Sequence, residues 1–239
     1  RKVPSGRVSR RSALGTVILI RHARSVANSQ NILAGQTPGV RLDSVGVEQS
    51  KKLAEVLGEL PITSVYVSPL ERCMATIEPW LSKYGSQTPV HSDPRIIEPD
   101  YGRWSGRKLD ELALDPLWNS VQNNPQEVIF PSGERFADVW ERVKSFFETI
   151  KEVASGQENI IVVSHGDIIK FLIANLLNIE FQNFQTLSVE PASISIAILS
   201  KENSKLIQFN RSDEPISEVI SKMLVPTLGG DQSTVQRGH

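Results

Sequence analysis

Two histidines with arginine, serine and glycine neighbours carry the strongest chemical signal in this chain of 239 residues. His22 stands in the stretch Arg-His-Ala-Arg-Ser at 21–25, and His165 stands in Ser-His-Gly-Asp at 164–167. An imidazole can act as a nucleophile, and a guanidinium presents a planar fork of donors that matches phosphate oxygens. We therefore interpret the two stretches as parts of one site for phosphate chemistry.

Arginines and one helix start supply candidate phosphate ligands. Arg21, Arg24 and Arg72 are the candidate side chains, although Arg24 could equally be a solvated arginine. Gly166 opens the helix predicted after His165, and backbone N–H groups at a helix N-terminus attract anions. The chain lacks a glycine-rich loop ending in Gly-Lys-Ser/Thr, which argues against nucleotide-driven transfer through a P-loop.

Alternating strand and helix patterns must position these side chains. The pattern predicts a three-layer α/β/α sandwich with a mostly parallel central sheet and one antiparallel or edge strand. Pro69 suits the first turn of the helix after the second strand. In such sheets ligands bind beyond the carboxyl ends of the strands, where both histidines emerge. Buried strands are predicted at 16–20, 64–67 and 160–163, a half-exposed or edge strand at 193–199, and helices at 47–57, 133–154 and 167–177.

Five short blocks lie in order at 21–28, 42–50, 68–76, 98–106 and 164–166. Together they resemble the signatures of the histidine phosphatase superfamily, the cofactor-dependent phosphoglycerate mutase-like proteins, and the resemblance spans residues 17–199. The first signature of that family is R-H-G-x-[ST]-x-x-N, and Ala23 replaces its glycine here. Arg135 stands where many members have serine, and neither departure removes a proposed catalytic group.

The resemblance implies a phosphohistidine mechanism that needs neither a metal nor a cofactor. His22 would be the nucleophile, and Glu98 would protonate the leaving alkoxide and then activate water. The nonbridging phosphate oxygens would be held by Arg21, Arg72 and His165, with Asn28 as a further neutral donor.

The reaction class is predicted from the segment that follows the fourth block. Mutases of this family carry an arginine-rich segment for a second phosphate, whereas residues 107–131 hold only Arg107 and Lys108 as basic residues. We therefore expect a metal-independent phosphomonoester hydrolase of the phosphatase branch, acting on a small phosphorylated metabolite. A phosphomutase is the alternative, and a catalytically silent phosphoester-binding protein on the same fold is the second. Specificity is expected in residues 96–131, a predicted insertion over the site.

Several other polar or aromatic residues have mainly structural interpretations. Cys73 is interpreted as a structural thiol. Asp167 is interpreted as an acid at a helix N-terminus in preference to a catalytic acid. Arg142 is expected to pair with an acid. Tyr101 and Trp104 are candidates for the wall of a substrate pocket.

Composition limits the possible partners and locations. The 26 Lys+Arg and 27 Asp+Glu give a net charge of −1, so no general attraction to nucleic acid is expected. No apolar run reaches the roughly 18 residues of a membrane span. The single cysteine excludes an internal disulfide framework and favours a reducing compartment, so a cytoplasmic location is expected. A homodimer is left open.

Three segments are predicted along the chain. Residues 1–15, with five basic residues and no acid, are expected to be a disordered leader without a secretory signal. Residues 16–210 form the predicted catalytic domain. Residues 211–239 form an extension that is expected to be disordered from about residue 226.

Overall fold

A six-stranded sheet lies at the centre of the computed structural model, which describes residues 15–156, 158–200 and 204–212. The strands are β1 (Gly15–Arg21), β2 (Ser64–Val67), β3 (Val90–Ser92), β4 (Ile160–Ser164), β5 (Ile194–Leu199) and β6 (Lys205–Arg211). Their order is β3-β2-β4-β1-β5-β6. The first four strands in that order are parallel, and β5 is antiparallel to both of its neighbours. The predicted mixed, mostly parallel sheet is confirmed.

Helices connect the strands and cover the sheet. The α-helices are α1 (Val26–Ser29), α2 (Ser44–Leu57), α3 (Glu71–Lys83), α4 (Leu109–Leu112), α5 (Pro116–Asn123), α6 (Phe136–Ala154) and α7 (Gly166–Leu177). Short 3₁₀ turns occur at Pro94–Ile96, Gly102–Trp104, Pro125–Glu127 and Phe181–Thr186. No helix among these described elements is long and apolar enough to cross a bilayer.

Alternate residues of β1 show the three layers directly. Val17 and Leu19 pack with the buried residues of α6 and α7, whereas Ile18 and Ile20 pack with those of α2 and α3. A strand that is apolar on both faces is the pattern of a sheet covered on both sides. The predicted α/β/α sandwich is therefore confirmed.

Some predicted boundaries differ from the structure. Pro69 precedes α3, whose N-cap is Leu70, so it does not occupy the first helical turn. Helix α6 begins at Phe136, because residues 133–135 first turn the chain and pair with the segment before them. Strand β5 is the antiparallel strand of the prediction, and it does not lie at the sheet edge because β6 pairs along its outer side.

The predicted terminal segments fall mostly outside the described residues. Strand β1 begins at Gly15, which the sequence pattern placed in the leader, and β6 continues to Arg211. Residues 1–14 and 213–239 lie outside the described part of the chain, as does the predicted disorder beyond about residue 226. Those predictions remain predictions.

Candidate active site

The two histidines meet at the carboxyl ends of β1 and β4. These strands are parallel neighbours with Arg21 opposite Ser164, so the residue that follows each strand emerges at the same edge. The backbone N–H of His22 donates to the carbonyl of Ser164 at 2.8 Å. The ring centroids of His22 and His165 are 5.2 Å apart, and both rings are buried. The predicted pairing of the histidines is confirmed.

Local hydrogen bonds select one tautomer of His22. Its Nδ1 lies 2.8 Å from the carbonyl oxygen of Ala23, which can only accept a hydrogen bond, so Nδ1 carries the proton. Nε2 in turn accepts from Nε of Arg72 at 3.3 Å. Burial lowers the pKa of His22 well below its ordinary value, and the charge of Arg72 lowers it further. His22 is therefore a neutral imidazole with a lone pair on Nε2.

Ala23 keeps an ordinary backbone in place of the family's glycine. It is not among the described non-glycine residues with positive φ, and its N–H donates to Oγ1 of Thr76 at 2.8 Å. Alanine therefore adds no backbone strain beside the nucleophile.

Two buried arginines flank the histidines. Nη2 of Arg72 on α3 donates to the carbonyl of Gly35 at 2.9 Å. The same Nη2 lies 3.6 Å from Oε2 of Glu98. Arg21 at the end of β1 donates to the carbonyl of Val189 at 2.7 Å. These bonds hold two guanidinium groups at a site where water is largely excluded, which strengthens their attraction for an anion.

His165 is oriented by a serine hydroxyl. Its Nε2 lies 2.7 Å from Oγ of Ser68, which directly follows β2, and its Nδ1 lies 3.1 Å from Oε2 of Glu98 without hydrogen-bond alignment. Burial lowers the pKa of His165 well below its ordinary value, and Arg72 and Arg21 lower it further. The neutral ring therefore turns Nδ1 toward the carboxyl group and the centre of the site.

Burial gives Glu98 the protonation behaviour of a general acid. Desolvation raises the pKa of Glu98 to about 7, although the charges of Arg72 and Arg21 oppose the rise. At neutral pH this carboxyl is therefore present in both the protonated and the ionised form, as an acid that later acts as a base requires.

Contacts from α6 and β4 place Glu98 at the strand ends. Arg142 on α6 donates to the carbonyls of Arg95 and Ile97 at 2.7 and 2.9 Å and pairs with Glu134 at 3.1 Å. The acid partner expected for Arg142 is thereby confirmed. On the other side, Oγ of Ser164 donates to the carbonyl of Ile96 at 2.7 Å.

The donor atoms of the site suit an anion. Ligand atoms of His22, Glu98 and His165 lie within 4.8 Å of one another, a spacing that a metal ion could bridge. However, the guanidinium of Arg72 contacts His22 Nε2 and lies beside Glu98 Oε2, and Arg21 adds a second positive charge. Positive charge at two of the three donor atoms opposes a cation and favours a phosphate group.

Two of the three other predicted phosphate ligands have partners within the protein. Oδ1 of Asn28 accepts from the N–H of Ser25 at 2.8 Å in a capping box at the start of α1. Arg24 pairs with Asp43 at 2.7 Å and is partly exposed. Gly166 is the first residue of α7, directly after His165. Contact of these residues with phosphate stays a prediction.

Sequence reasoning assigned no role to Ser68, which contacts the ring of His165, or to Thr76, which accepts from the backbone N–H of Ala23. Ser68 and Thr76 are the first and last residues of one family block, and the regular strand and helix around them gave no further signal. Cys73 is buried with Sγ 3.5 Å from Nε2 of His165, and burial raises its pKa to about 12, in agreement with a structural thiol.

Aromatic residues of the segment after Glu98 lie in the core. Trp104 is buried against Trp118 and Phe130, and its indole N–H donates to Oδ2 of Asp115 at 3.2 Å. Tyr101 is fully buried, with its hydroxyl 3.4 Å from Oε1 of Glu98. Both rings pack in the core, and a role of Tyr101 and Trp104 in the wall of a substrate pocket stays a prediction.

Comparison with known proteins identifies the family. The family model described as histidine phosphatase superfamily (branch 1) matches residues 17–212. The chain belongs to the histidine phosphatase superfamily. It is 29% identical over 199 residues to phosphoserine phosphatase 1 of Hydrogenobacter thermophilus, covering 81% of this chain and 91% of that protein.

Other members of the superfamily show the same fold and named activity. An adenosylcobalamin/alpha-ribazole phosphatase of Escherichia coli is 33% identical over 161 residues, covering 66% of this chain and 77% of that protein. The crystal structure of the alpha-ribazole phosphatase from Shigella flexneri superposes with a TM-score of 0.74 at 28% identity, covering 82% of this chain and 96% of that one. By family and by these named relatives, the chain is a histidine-type phosphatase.

Proposed function

We propose that this phosphatase hydrolyses a small alkyl phosphate through a phosphohistidine intermediate on His22 and without a metal ion. The hydrogen bonding of His22 carries the proposal. Nδ1 is tied to a backbone carbonyl at 2.8 Å, so the only lone pair of the ring is on Nε2, beside the guanidinium of Arg72. A neutral imidazole nitrogen next to a fixed cation is the arrangement needed to attack a phosphate dianion.

The first step transfers the phosphoryl group to the enzyme. Nε2 of His22 forms a bond to phosphorus, and the bond from phosphorus to the ester oxygen breaks. Glu98 gives its proton to the departing alkoxide. The N–H groups of Arg72 then donate to phosphate oxygens, while Arg21 and Nδ1 of His165 offset the charge on the transferring group.

The second step returns the enzyme to its starting state. Ionised Glu98 accepts a proton from a water molecule, whose oxygen attacks phosphorus. The bond from Nε2 to phosphorus breaks, and inorganic phosphate leaves. Burial keeps the pKa of Glu98 at about 7, so the same carboxyl serves as acid and base near neutral pH.

Hydrolysis of a small metabolite is favoured over mutase or silent binding. The relatives cited above are named phosphoserine and alpha-ribazole phosphatases, which supports phosphate release from a small ester. The presence of His22, Arg72, Glu98 and His165 together supports an active enzyme. We also propose a cytoplasmic location, on the ground of the single, buried cysteine.

Labelling with a radioactive phosphomonoester tests the intermediate. Rapid alkaline quenching should trap a label that is stable to base and labile to acid, and peptide mapping should place it on His22. A His91→Ala variant is the control, since His91 is exposed on β3. Label on another residue, or none during turnover, would contradict the mechanism.

A panel of sugar phosphates, nucleotides and phosphoacids tests the reaction class. Inorganic phosphate should be the main product with each accepted ester. A phosphoglycerate that is isomerised much faster than it is hydrolysed would instead establish the mutase alternative. Binding of these esters without turnover by the intact protein would establish the silent alternative.

A further inference from the structure

A chain of buried polar side chains leads from Glu98 into the core. The Tyr101 hydroxyl lies 3.4 Å from Oε1 of Glu98 and 3.1 Å from Oδ2 of Asp167. Nζ of Lys170 lies 3.5 Å from Oδ1 of Asp167 and donates to Oε1 of Gln185 at 3.0 Å. The phosphoryl-transfer steps above use neither Asp167 nor Lys170. Two buried charges that chemistry does not consume are costly unless they are paired.

The Tyr101 hydroxyl has a single proton to donate, so it can serve only one of the two carboxyl groups at a time. Asp167 is the nearer acceptor, and the ammonium of Lys170 opposes the rise in the pKa of Asp167 that burial causes. The proton of Tyr101 is therefore directed to Asp167. Oε1 of Glu98 then faces a lone pair of the phenol oxygen, where only a protonated carboxyl can form a hydrogen bond.

We infer that Asp167 is a positioning residue that acts through the Tyr101 hydroxyl to hold a proton on Glu98. This inference rests on the proposed function, in which Glu98 gives that proton to the leaving alkoxide. The hydroxyl proton of Tyr101 stays on its oxygen throughout. Asp167 and Tyr101 therefore change the relative stability of protonated and ionised Glu98 without transferring a proton themselves. Asp167 thus prepares Glu98 for the first step from outside the phosphate site.

Other charged or titratable groups also face Glu98, and every test variant leaves them in place. They come from each element packed around the carboxyl. They are Arg21 at the end of β1, His22 after it, Arg72 and Cys73 on α3, Arg142 on α6 and His165 before α7.

Substitution of Asp167 by asparagine should turn the O–H bond of Tyr101 away from residue 167 and toward Glu98. Lys170 is a pure donor, so the new amide oxygen should face it, and the amide NH₂ should take the place of Oδ2 and donate to Tyr101. Tyr101 would then donate to Glu98 and stabilise its ionised form. In Asp167→Asn the pKa of Glu98 should fall by about one unit or more.

Carbon-13 NMR of chain labelled at the glutamate carboxyls measures this pKa without turnover. The Glu98 signal is assigned as the one missing from Glu98→Gln. Tyr101→Phe should also lower the pKa of Glu98, because it removes the acceptor for the carboxyl proton. Tyr66→Phe is the matched control, because Tyr66 contacts His91 and Phe146 instead and should leave this pKa unchanged.

Two results would overturn the inference. A rise in the pKa of Glu98 in Tyr101→Phe would mean that Tyr101 donates to Glu98. An equal effect of Asp167→Asn with and without the Tyr101 hydroxyl would mean that Asp167 acts through its charge alone. The pKa of Glu98 in Tyr101→Phe tests the inference even if Asp167→Asn does not fold, because Tyr101→Phe keeps the buried pair of Asp167 and Lys170 intact.

Single-turnover kinetics separates this inference from the proposed function. With an alkyl phosphate, the alkaline limb of the phosphoryl-transfer rate should move to lower pH in Asp167→Asn by the same amount as the pKa of Glu98. With p-nitrophenyl phosphate, whose leaving group needs no proton, the alkaline limb of the rate profile should lie at the same pH in Asp167→Asn and in the wild type. If the pKa of Glu98 changes as expected but Glu98→Gln transfers the phosphoryl group from alkyl phosphates at the wild-type rate, the acid role of Glu98 fails and the positioning role of Asp167 stands.

Discussion

The hydroxyl of Ser68 lies 2.7 Å from Nε2 of His165 and thereby determines which nitrogen of that ring faces the phosphate site. Burial keeps His165 neutral, so the ring carries a single N–H. If Ser68 donates to Nε2, Nδ1 must hold the proton and can donate to a phosphate oxygen. Through this contact, a residue outside the phosphate contacts orients the ring of His165.

Ser68→Ala should reduce kcat by about 10- to 100-fold, less than the 10²–10³ that follows removal of a transition-state donor. Alanine removes the hydroxyl that contacts Nε2 of His165, so a proton on Nδ1 is no longer favoured over one on Nε2. Ser68→Thr keeps a hydroxyl and should recover most of the activity. Steady-state kinetics of both variants checks the prediction, and a fully active Ser68→Ala would contradict it.

His22→Ala should leave less than about a thousandth of the wild-type kcat, because it removes the nitrogen that accepts the phosphoryl group in the proposed mechanism. The assay is phosphate release from an alkyl phosphate, with His91→Ala as a control of full activity. A larger residual rate in the purified variant would exclude the phosphohistidine mechanism.

Glu98→Gln should lower the single-turnover rate of phosphoryl transfer from alkyl phosphates by about 10²–10⁴. The loss should be clearly smaller with p-nitrophenyl phosphate, since nitrophenolate leaves without a proton. Single-turnover conditions are needed because Glu98 also acts as the base in the second step. Equal losses for both substrates would show that another group, Asp100 or Asp167, is the proton donor.

The same substitution should stabilise the protein in a pH-dependent way. The folded pKa of Glu98, about 7, is above its ordinary value of 4.5, so the folded state binds more protons between these values and the wild type loses stability as pH rises through them. Glutamine mimics the neutral carboxyl. Relative to wild type, the free energy of unfolding of Glu98→Gln should therefore rise by about 2–3 kcal/mol from pH 5 to pH 8.

Urea unfolding at the two pH values checks this difference. Most other titrating groups are common to both proteins, so their contributions cancel in the comparison. A pH-independent difference would show that Glu98 is ionised throughout this range and has no proton to give at neutral pH.

Activity should survive EDTA treatment followed by gel filtration, because Arg21, Arg72 and the two histidines meet the charge of the phosphate. The measurement is kcat before and after treatment, with added Mg²⁺ and Zn²⁺ as separate trials. A strict requirement for either ion would point to metal-assisted hydrolysis by the donors of His22, Glu98 and His165.

The meeting of the two histidines could be predicted because its causes are local. Apolar runs before His22 and His165 indicate parallel buried strands, whose carboxyl ends share one edge. Strand β6 could not be predicted in this way. Its mixture of charged, polar and apolar residues is half exposed and becomes a strand only through pairing with β5.

The position of Glu98 is a tertiary effect that no local pattern reveals. Its segment has no clear periodicity, and only the family resemblance drew attention to the residue. The structure brings it to the strand ends through Arg142 and Ser164, which are distant in sequence. The hydroxyl of Tyr101 likewise contacts Asp167, 66 residues further along the chain.

The burial of Cys73 makes this protein a convenient background for site-directed labelling. The only cysteine of the sequence is inaccessible, and burial raises its thiol pKa to about 12, so it should not compete for maleimides at neutral pH. A cysteine introduced at the exposed Leu114 would then be the single reactive position. A fluorophore there would mark one defined surface position, with the native thiol left in place.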